Sequence, residues 1–166
     1  ETILARLEAA AEGEDAPAAA LYDLARYLVW TGADDPNEQR GRQLAARAAE
    51  AEPSLAHLEL AARLATQRSE TTKYVQRAME RYESRPAARL LHAQVTRAGL
   101  HPEDALPLLE GVPEEGVLGM EAAVLRAGIL QDMDLPQAAW RLVDEVAQRA
   151  PEAHGWLRLR AEYASA

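Results

Sequence analysis

Apolar residues recur along this chain with the period of an α-helix and with a second period of about 33 residues. Each long repeat carries four mostly small or apolar side chains at positions i, i+3, i+4 and i+7, and we call these sets the column. The first set is Leu21, Leu24, Ala25 and Leu28. The leading members of the five sets are Leu21, Leu58, Leu91, Val124 and Trp156. They are 37, 33, 33 and 32 residues apart, and a fixed period in this range is typical of stacked helical repeats.

Breaker residues and helical spacing divide the chain into ten predicted helices. Pro53, Pro86 and Pro151 each begin a segment, because proline is tolerated in the first helical turn but not in a helix interior. No window alternates apolar and polar residues convincingly as a strand would. The predicted fold is all-α, with about ten helices in antiparallel pairs that form a right-handed superhelical array. The segments are 2–12, 17–31, 36–51, 53–67, 70–83, 86–99, 102–110, 115–131, 135–149 and 151–164.

The predicted helices alternate between two kinds, which we call A helices, carrying the column, and B helices, carrying other apolar runs. Short connections make each A helix and the following B helix antiparallel neighbours. Neither can bury its apolar stripe alone, so stacking on the next pair completes the core. We expect small column residues such as Ala25, Ala62 and Gly128 to let the paired helix come close.

The last A helix has Trp156, Leu159 and Tyr163 at positions one, four and eight of a helical run. This pattern resembles the first helix of the tetratricopeptide repeat, a helix–turn–helix unit of about 34 residues closed by a proline. The small residue of that pattern is replaced by Arg160, and residues 124–128 match the pattern in the preceding repeat. The resemblance covers essentially the whole chain and implies a tetratricopeptide-like α-solenoid.

Two other interpretations of the period remain. A pentatricopeptide array, which reads RNA, has repeats of similar length, but nucleic-acid binders usually present a basic surface. This chain has a net charge of -9 and a single lysine, Lys73, so we do not expect it to bind nucleic acid. An irregular helical bundle is the other alternative.

Phasing by the column leaves a half repeat at each end of the chain. Segment 2–12 is a B helix without an A partner, and segment 151–164 is an A helix without a B partner. We therefore predict one helical-repeat domain over residues 1–166 that is a piece of a longer protein. Its predicted repeats are 1–16 (half), 17–52, 53–85, 86–117, 118–150 and 151–166 (half).

Composition adds little about location. The chain has no cysteine, which excludes disulfides and thiolate metal sites, and no apolar run close to the length of a membrane span. Seventeen arginines against one lysine are typical of a GC-rich genome. We expect a soluble bacterial protein of the cytoplasm or periplasm.

In tetratricopeptide repeats the A helices line a concave groove, so the resemblance implies a set of groove residues here. The set is Tyr22, Arg26, Arg63, Arg89, His92, Leu125, Ile129 and Leu157. The same transfer places Trp30 on the groove side of the first A helix. A basic end would bind carboxylates and an aliphatic end would anchor apolar side chains or support self-association. The expected ligand is a peptide, extended or helical, with acidic residues at one end and aliphatic anchors at the other.

Catalytic patterns are missing from the sequence. The four histidines are spread along the chain at positions 57, 92, 101 and 154, and neither a paired-histidine zinc motif nor a glycine-rich phosphate loop occurs. We predict no catalytic residue, cofactor or metal. The first hypothesis is a non-enzymatic scaffold that binds a partner protein or peptide in the groove. The alternative is a structural or regulatory helical-repeat extension of a larger enzyme whose catalytic domain lies outside this sequence.

Overall fold

The computed structural model describes residues 2–31, 35–99 and 101–149. These residues form eight α-helices and two short 3-10 helices, with no strand among them, so the prediction of an all-α fold is confirmed. The predicted last helix, 151–164, lies outside the described residues. The α-helices are α1 (Ile3–Ala10), α2 (Ala18–Thr31), α3 (Asp35–Ala51), α4 (Leu55–Leu64), α5 (Arg68–Tyr82), α6 (Pro86–Arg97), α7 (Gly116–Asp132) and α8 (Pro136–Arg149).

Local sequence signals explain where several helices begin. The Oγ atom of Ser54 accepts a hydrogen bond from the backbone N–H of His57 and caps α4. Pro86 and Pro136 each occupy the first position of a helix, where the missing N–H removes no intrahelical bond. Asp134 has a left-handed φ of 60°, which turns the chain between α7 and α8.

The segment 102–110 differs from its predicted α-helix. It forms two 3-10 helices, Pro102–Ala105 and Pro107–Leu109. Pro107 is the physical reason, because its ring has no N–H to donate and clashes with the carbonyl four residues earlier in an α-helix. Ala105 and Leu109 are nevertheless fully buried. The apolar pattern was informative about burial but not about the type of helix.

The chain divides into two compact units, one ending at Glu83 and the other beginning at Ser84. In the N-terminal unit each helix packs against the next, and α2 also contacts α4. Three residues connect α4 to α5, so these two helices run antiparallel. All four column residues of α2 are buried, as predicted, and the core also includes Leu44, Ala45 and Ala48 of α3.

In the C-terminal unit α7 is covered on two sides. One side packs with α6 and the 3-10 helices through Ala122, Leu125 and Ile129. The other side packs with α8 through Ala123 and Ala127. A helix that is apolar almost all round is expected at such a central place.

The column is only partly buried in α7, where Ala127 and Gly128 lie in the core as predicted. Its leading member there, Val124, is 36 % exposed, whereas the next residue along the chain is buried. One residue corresponds to about 100° around a helix, so this small offset moves a side chain from the core to the surface. The prediction that Val124 belongs to the buried column is therefore wrong.

Two glycines sit in different surroundings. A Cβ added at Gly41 of α3 would lie 2.8 Å from Cγ2 of Val29 and 3.3 Å from the carbonyl oxygen of Ala25, both in α2. The three atoms nearest to a Cβ at Gly128 all belong to the Arg97 guanidinium. The nearest neighbour of Gly128 is therefore an arginine side chain at the end of α6.

Replacing each glycine by alanine should change stability differently. Either change gains about 1 kcal/mol of helix propensity. At Gly41 the added methyl group meets a branched side chain and backbone, and overpacking costs about 1–3 kcal/mol, so Gly41→Ala should be destabilising by up to about 2 kcal/mol. At Gly128 only the end of Arg97 must move, away from its ion pair with Asp132 at 2.7 Å. That exposed pair is worth about 0–1 kcal/mol, so Gly128→Ala should be neutral or mildly stabilising.

Urea unfolding followed by circular dichroism measures both effects. The order of the two midpoints is the test, since both variants add the same methyl group to a helix. If Gly128→Ala unfolds at a lower urea concentration than Gly41→Ala, Gly128 has less room for a methyl group than Gly41.

Candidate interaction site

The predicted groove residues fall into both compact units. Those in the N-terminal unit are Tyr22, Arg26 and Arg63. Those in the C-terminal unit are Arg89, His92, Leu125 and Ile129. Leu157 lies outside the described residues. The structure gives the seven described residues different environments, which separate structural roles from surface ones.

Leu125 and Ile129 are core residues. Their side chains are 6 % and 0 % exposed, and they belong to the cluster that contains Leu90 and Leu109. A partner could not touch them without opening the C-terminal unit. The physical reason is that α7 is covered on two sides, and the side that carries these two residues packs against α6 and the 3-10 helices. The expected apolar end for peptide anchoring or self-association is therefore not formed by Leu125 and Ile129.

Several arginines form hydrogen bonds to turns of the protein itself. Arg89 donates from Nη1 to the carbonyl oxygen of Glu110 at 2.6 Å. Arg47 and Arg126 each donate to a carbonyl oxygen of another turn at 2.7 Å. Turn carbonyls have no helical partner, and a guanidinium satisfies them with a charge-assisted hydrogen bond. Arg89 thus has a structural task that its predicted groove role did not include.

Arg63 and Arg26 differ in how their charge is balanced. Arg63 pairs with Glu59 on the preceding turn of α4, with Nη2 and Oε1 2.9 Å apart. Arg26 lies over the ring of Tyr22, 5.5 Å from its centroid, and forms no ion pair within the described part of the chain. Of the arginines predicted to line the groove, Arg26 alone has neither a carboxylate nor a carbonyl partner among the described residues.

Tyr22 also contacts a histidine. The ring centroids of Tyr22 and His57 are 5.1 Å apart at an interplanar angle of 49°. His57 is only 7 % exposed, and its Nδ1 lies 2.6 Å from the carbonyl oxygen of Glu52. A carbonyl can only accept, so Nδ1 carries the proton and the imidazole is fixed in place. Tyr22 therefore contacts both the Arg26 guanidinium and the His57 ring.

Trp30 and Arg26 are exposed on α2, and Tyr22 on the same side of the helix is half-buried against the core of the N-terminal unit. The Trp30 side chain is 88 % exposed. Tyr22, Arg26 and Trp30 are spaced four residues apart, so they lie within roughly 80° of one side of the helix. We call these three residues the α2 face. Tryptophan, tyrosine and arginine are the residue types that contribute most binding energy in protein interfaces.

His92 is half-buried on α6, and its Nδ1 has no hydrogen-bond partner among the described residues. Burial lowers the pKa of His92 below its ordinary value of 6.5. The folded chain therefore favours the neutral imidazole, while the unfolded chain takes up a proton as the pH falls through about 6.5. Stability is lost over that fall, because the unfolded state binds more protons, and above it His92 adds no pH dependence.

Replacing His92 by leucine should remove this effect. We expect the loss of stability between about pH 7.5 and about pH 5.5 to be smaller in His92→Leu than in the unmodified protein. Urea midpoints at the two pH values give the comparison, and other titrating groups cancel because they are common to both proteins. An equal loss in both would contradict the proposed burial of His92.

Other kinds of site have less support. Within the described ranges, no three histidine, aspartate or glutamate side chains are grouped so that they could hold a metal ion. None of the described helices is both long and apolar enough to cross a membrane. A shallow cleft of about 290 Å³ lies between α3, α4 and α5, with Arg42, Glu70 and Tyr74 among its lining residues.

The described part of the molecule is an all-helical protein in which helices pack against their neighbours, an arrangement compatible with a helical repeat. Comparisons with protein-family models, curated proteins and solved structures find no match to this chain.

Proposed function

We propose that this chain is a non-enzymatic interaction module that binds a partner protein or peptide on the α2 face. The observation that carries the proposal is the 88 % exposure of Trp30 beside Arg26 and Tyr22. A single exposed apolar side chain is ordinary on a protein surface. Three interface-type side chains on one side of one helix, with an arginine charge left unbalanced, favour a contact surface.

We further propose that the helices belong to a tetratricopeptide-like repeat array. The sequence period of about 33 residues supports this, as do the successive helix pairs α2–α3, α4–α5 and α7–α8. In such arrays the A helices carry the binding residues, and α2 is the A helix of the first complete predicted repeat. The α2 face is then where the repeat pattern and the exposed side chains coincide.

Trp30 is large enough to decide whether a partner binds. An aromatic side chain buries about 150–250 Å² in an interface, equivalent to about 4–6 kcal/mol of apolar transfer before binding costs are subtracted. When a tryptophan that contributes strongly to an interface is replaced by alanine, the complex commonly loses about 2 kcal/mol or more of binding free energy. Trp30→Ala should therefore weaken partner binding by at least about 30-fold.

The test is selection of short random peptides displayed on phage against the immobilised protein. We expect enriched peptides to bind the unmodified chain and to lose at least about 30-fold in affinity for Trp30→Ala. The matched control is Val117→Ala, which truncates another exposed apolar side chain, at the start of α7. That variant should bind the same peptides as the unmodified chain.

Two results would count against the proposal. One is that no peptide is enriched over a surface without protein. The other is that enriched peptides bind Trp30→Ala as tightly as the unmodified chain.

A further inference from the structure

The α2 face carries one positive charge that no described neighbour neutralises. Arg26 is exposed, and Asp23, one turn earlier on the same helix, forms no ion pair with it. The guanidinium has five N–H donors in a planar fork, and a carboxylate accepts two of them side by side. A carboxylate is therefore the group that this part of the surface is best suited to bind.

The arginine is also positioned before any partner arrives. One side of the guanidinium lies over the Tyr22 ring, and Tyr22 contacts His57, whose Nδ1–H donates to the carbonyl oxygen of Glu52. A flexible arginine loses rotamer freedom when it is fixed in a complex, and this loss weakens binding. The contact between Arg26 and Tyr22 already removes part of that freedom. An ion pair at Arg26 should therefore cost less entropy than one at an arginine that contacts no aromatic ring.

Spacing on the helix limits the shape of the partner. Arg26 and Trp30 are four residues apart, a rise of about 6 Å along α2. In an extended peptide, residues two apart point to the same side and are separated by about 6.6–6.8 Å. An acidic residue and an apolar residue two positions apart could therefore contact Arg26 and Trp30 together.

We propose that the α2 face recognises an extended peptide segment in which an acidic residue and an apolar residue are two positions apart. The acidic side chain binds Arg26 and the apolar side chain packs on Trp30. This inference rests on the proposed interaction function. The net charge of the whole chain is -9, so its overall field repels acidic peptides. Recognition then depends on one carboxylate at the correct spacing, and further acidic residues in the peptide give no gain.

The experiment sequences displayed peptides enriched on the unmodified chain and on Arg26→Gln. We expect the acidic–x–apolar spacing to be enriched, in either chain direction, on the unmodified chain only. The best peptide and its form with the acidic residue replaced by the corresponding amide are then titrated by fluorescence anisotropy. The amide form should bind the unmodified chain at least about tenfold more weakly, and both forms should bind Arg26→Gln equally. Arg26→Lys should restore little, because an ammonium cannot form the bidentate pair.

The outcomes separate this inference from the proposed function. Peptides that require Trp30 but bind equally well in acidic and amide forms overturn the carboxylate inference and leave the interaction function in place. Peptides enriched without the two-residue spacing overturn it as well. If no enriched peptide depends on Trp30, the proposed function and the inference built on it are both wrong.

Discussion

Ile129→Ala is expected to lower the free energy of unfolding by about 3 kcal/mol, within the range of about 2–5 kcal/mol measured for large-to-small changes in protein cores. Ile129 lies on α7 and is fully buried against α6 and the 3-10 helices. Its truncation removes apolar contacts and leaves a cavity that neighbouring helices fill only in part. The effect should appear as a lower urea midpoint by circular dichroism.

Val124→Ala is the matched control, five residues earlier on the same helix. Val124 is 36 % exposed, so its truncation should cost less than about 1 kcal/mol. The comparison also tests the register of α7, because the column predicts Val124 to be the core residue and Ile129 the surface one. If Val124→Ala lowers the free energy of unfolding more than Ile129→Ala does, then Val124 and not Ile129 packs in the core.

Leu24→Ala should have an effect of similar size in the N-terminal unit. Leu24 lies in the core, on the side of α2 opposite to Arg26, and its truncation should cost about 2–5 kcal/mol. Trp30→Ala, on the exposed side of the same helix, should stay within about 0.5 kcal/mol of the unmodified protein. Thermal and urea unfolding by circular dichroism suit both variants, since one of them removes a fluorophore.

The stabilities of Leu24→Ala and Trp30→Ala also serve as a control for the binding experiments. If Trp30→Ala keeps its stability, a loss of peptide binding by that variant reflects a lost contact and not unfolding. A Trp30→Ala protein destabilised as much as Leu24→Ala would mean that Trp30 packs in the fold and does not belong to a free surface.

The sequence alone was sufficient for the fold class and for most helix positions. Helical spacing located the buried side of α2, where Leu21, Leu24 and Leu28 all lie in the core. Proline at the first position correctly placed the start of α6. These features depend on neighbours a few residues apart, which a sequence displays directly.

The errors come from features that depend on tertiary packing or on a single breaker. The segment 102–110 kept an apolar helical pattern, but Pro107 prevents a continuous α-helix. In α7 apolar residues occur on nearly every side, since the helix packs on two layers. Its pattern therefore does not indicate which residues face outward, and the 33-residue period misplaced Val124 while it correctly placed Ala127 in the core.

The candidate site could be predicted only in part. Tyr22 and Arg26 follow from the resemblance, and so does Trp30, but the sequence does not distinguish a free arginine from one that holds a turn. That difference depends on distances such as the 2.6 Å between Arg89 and the Glu110 carbonyl. The contact between Tyr22 and His57 was not predicted, because the sequence places the two residues in different repeats without a shared position.

The most direct test of the interaction function is to map where a selected peptide binds, by backbone amide chemical shifts in nuclear magnetic resonance. We expect the largest shifts on residues 22–30 of α2 and smaller ones near His57, and we expect them to disappear in Trp30→Ala. Shifts concentrated instead at the cleft between α3, α4 and α5, or in the C-terminal unit, would contradict the proposed binding on the α2 face.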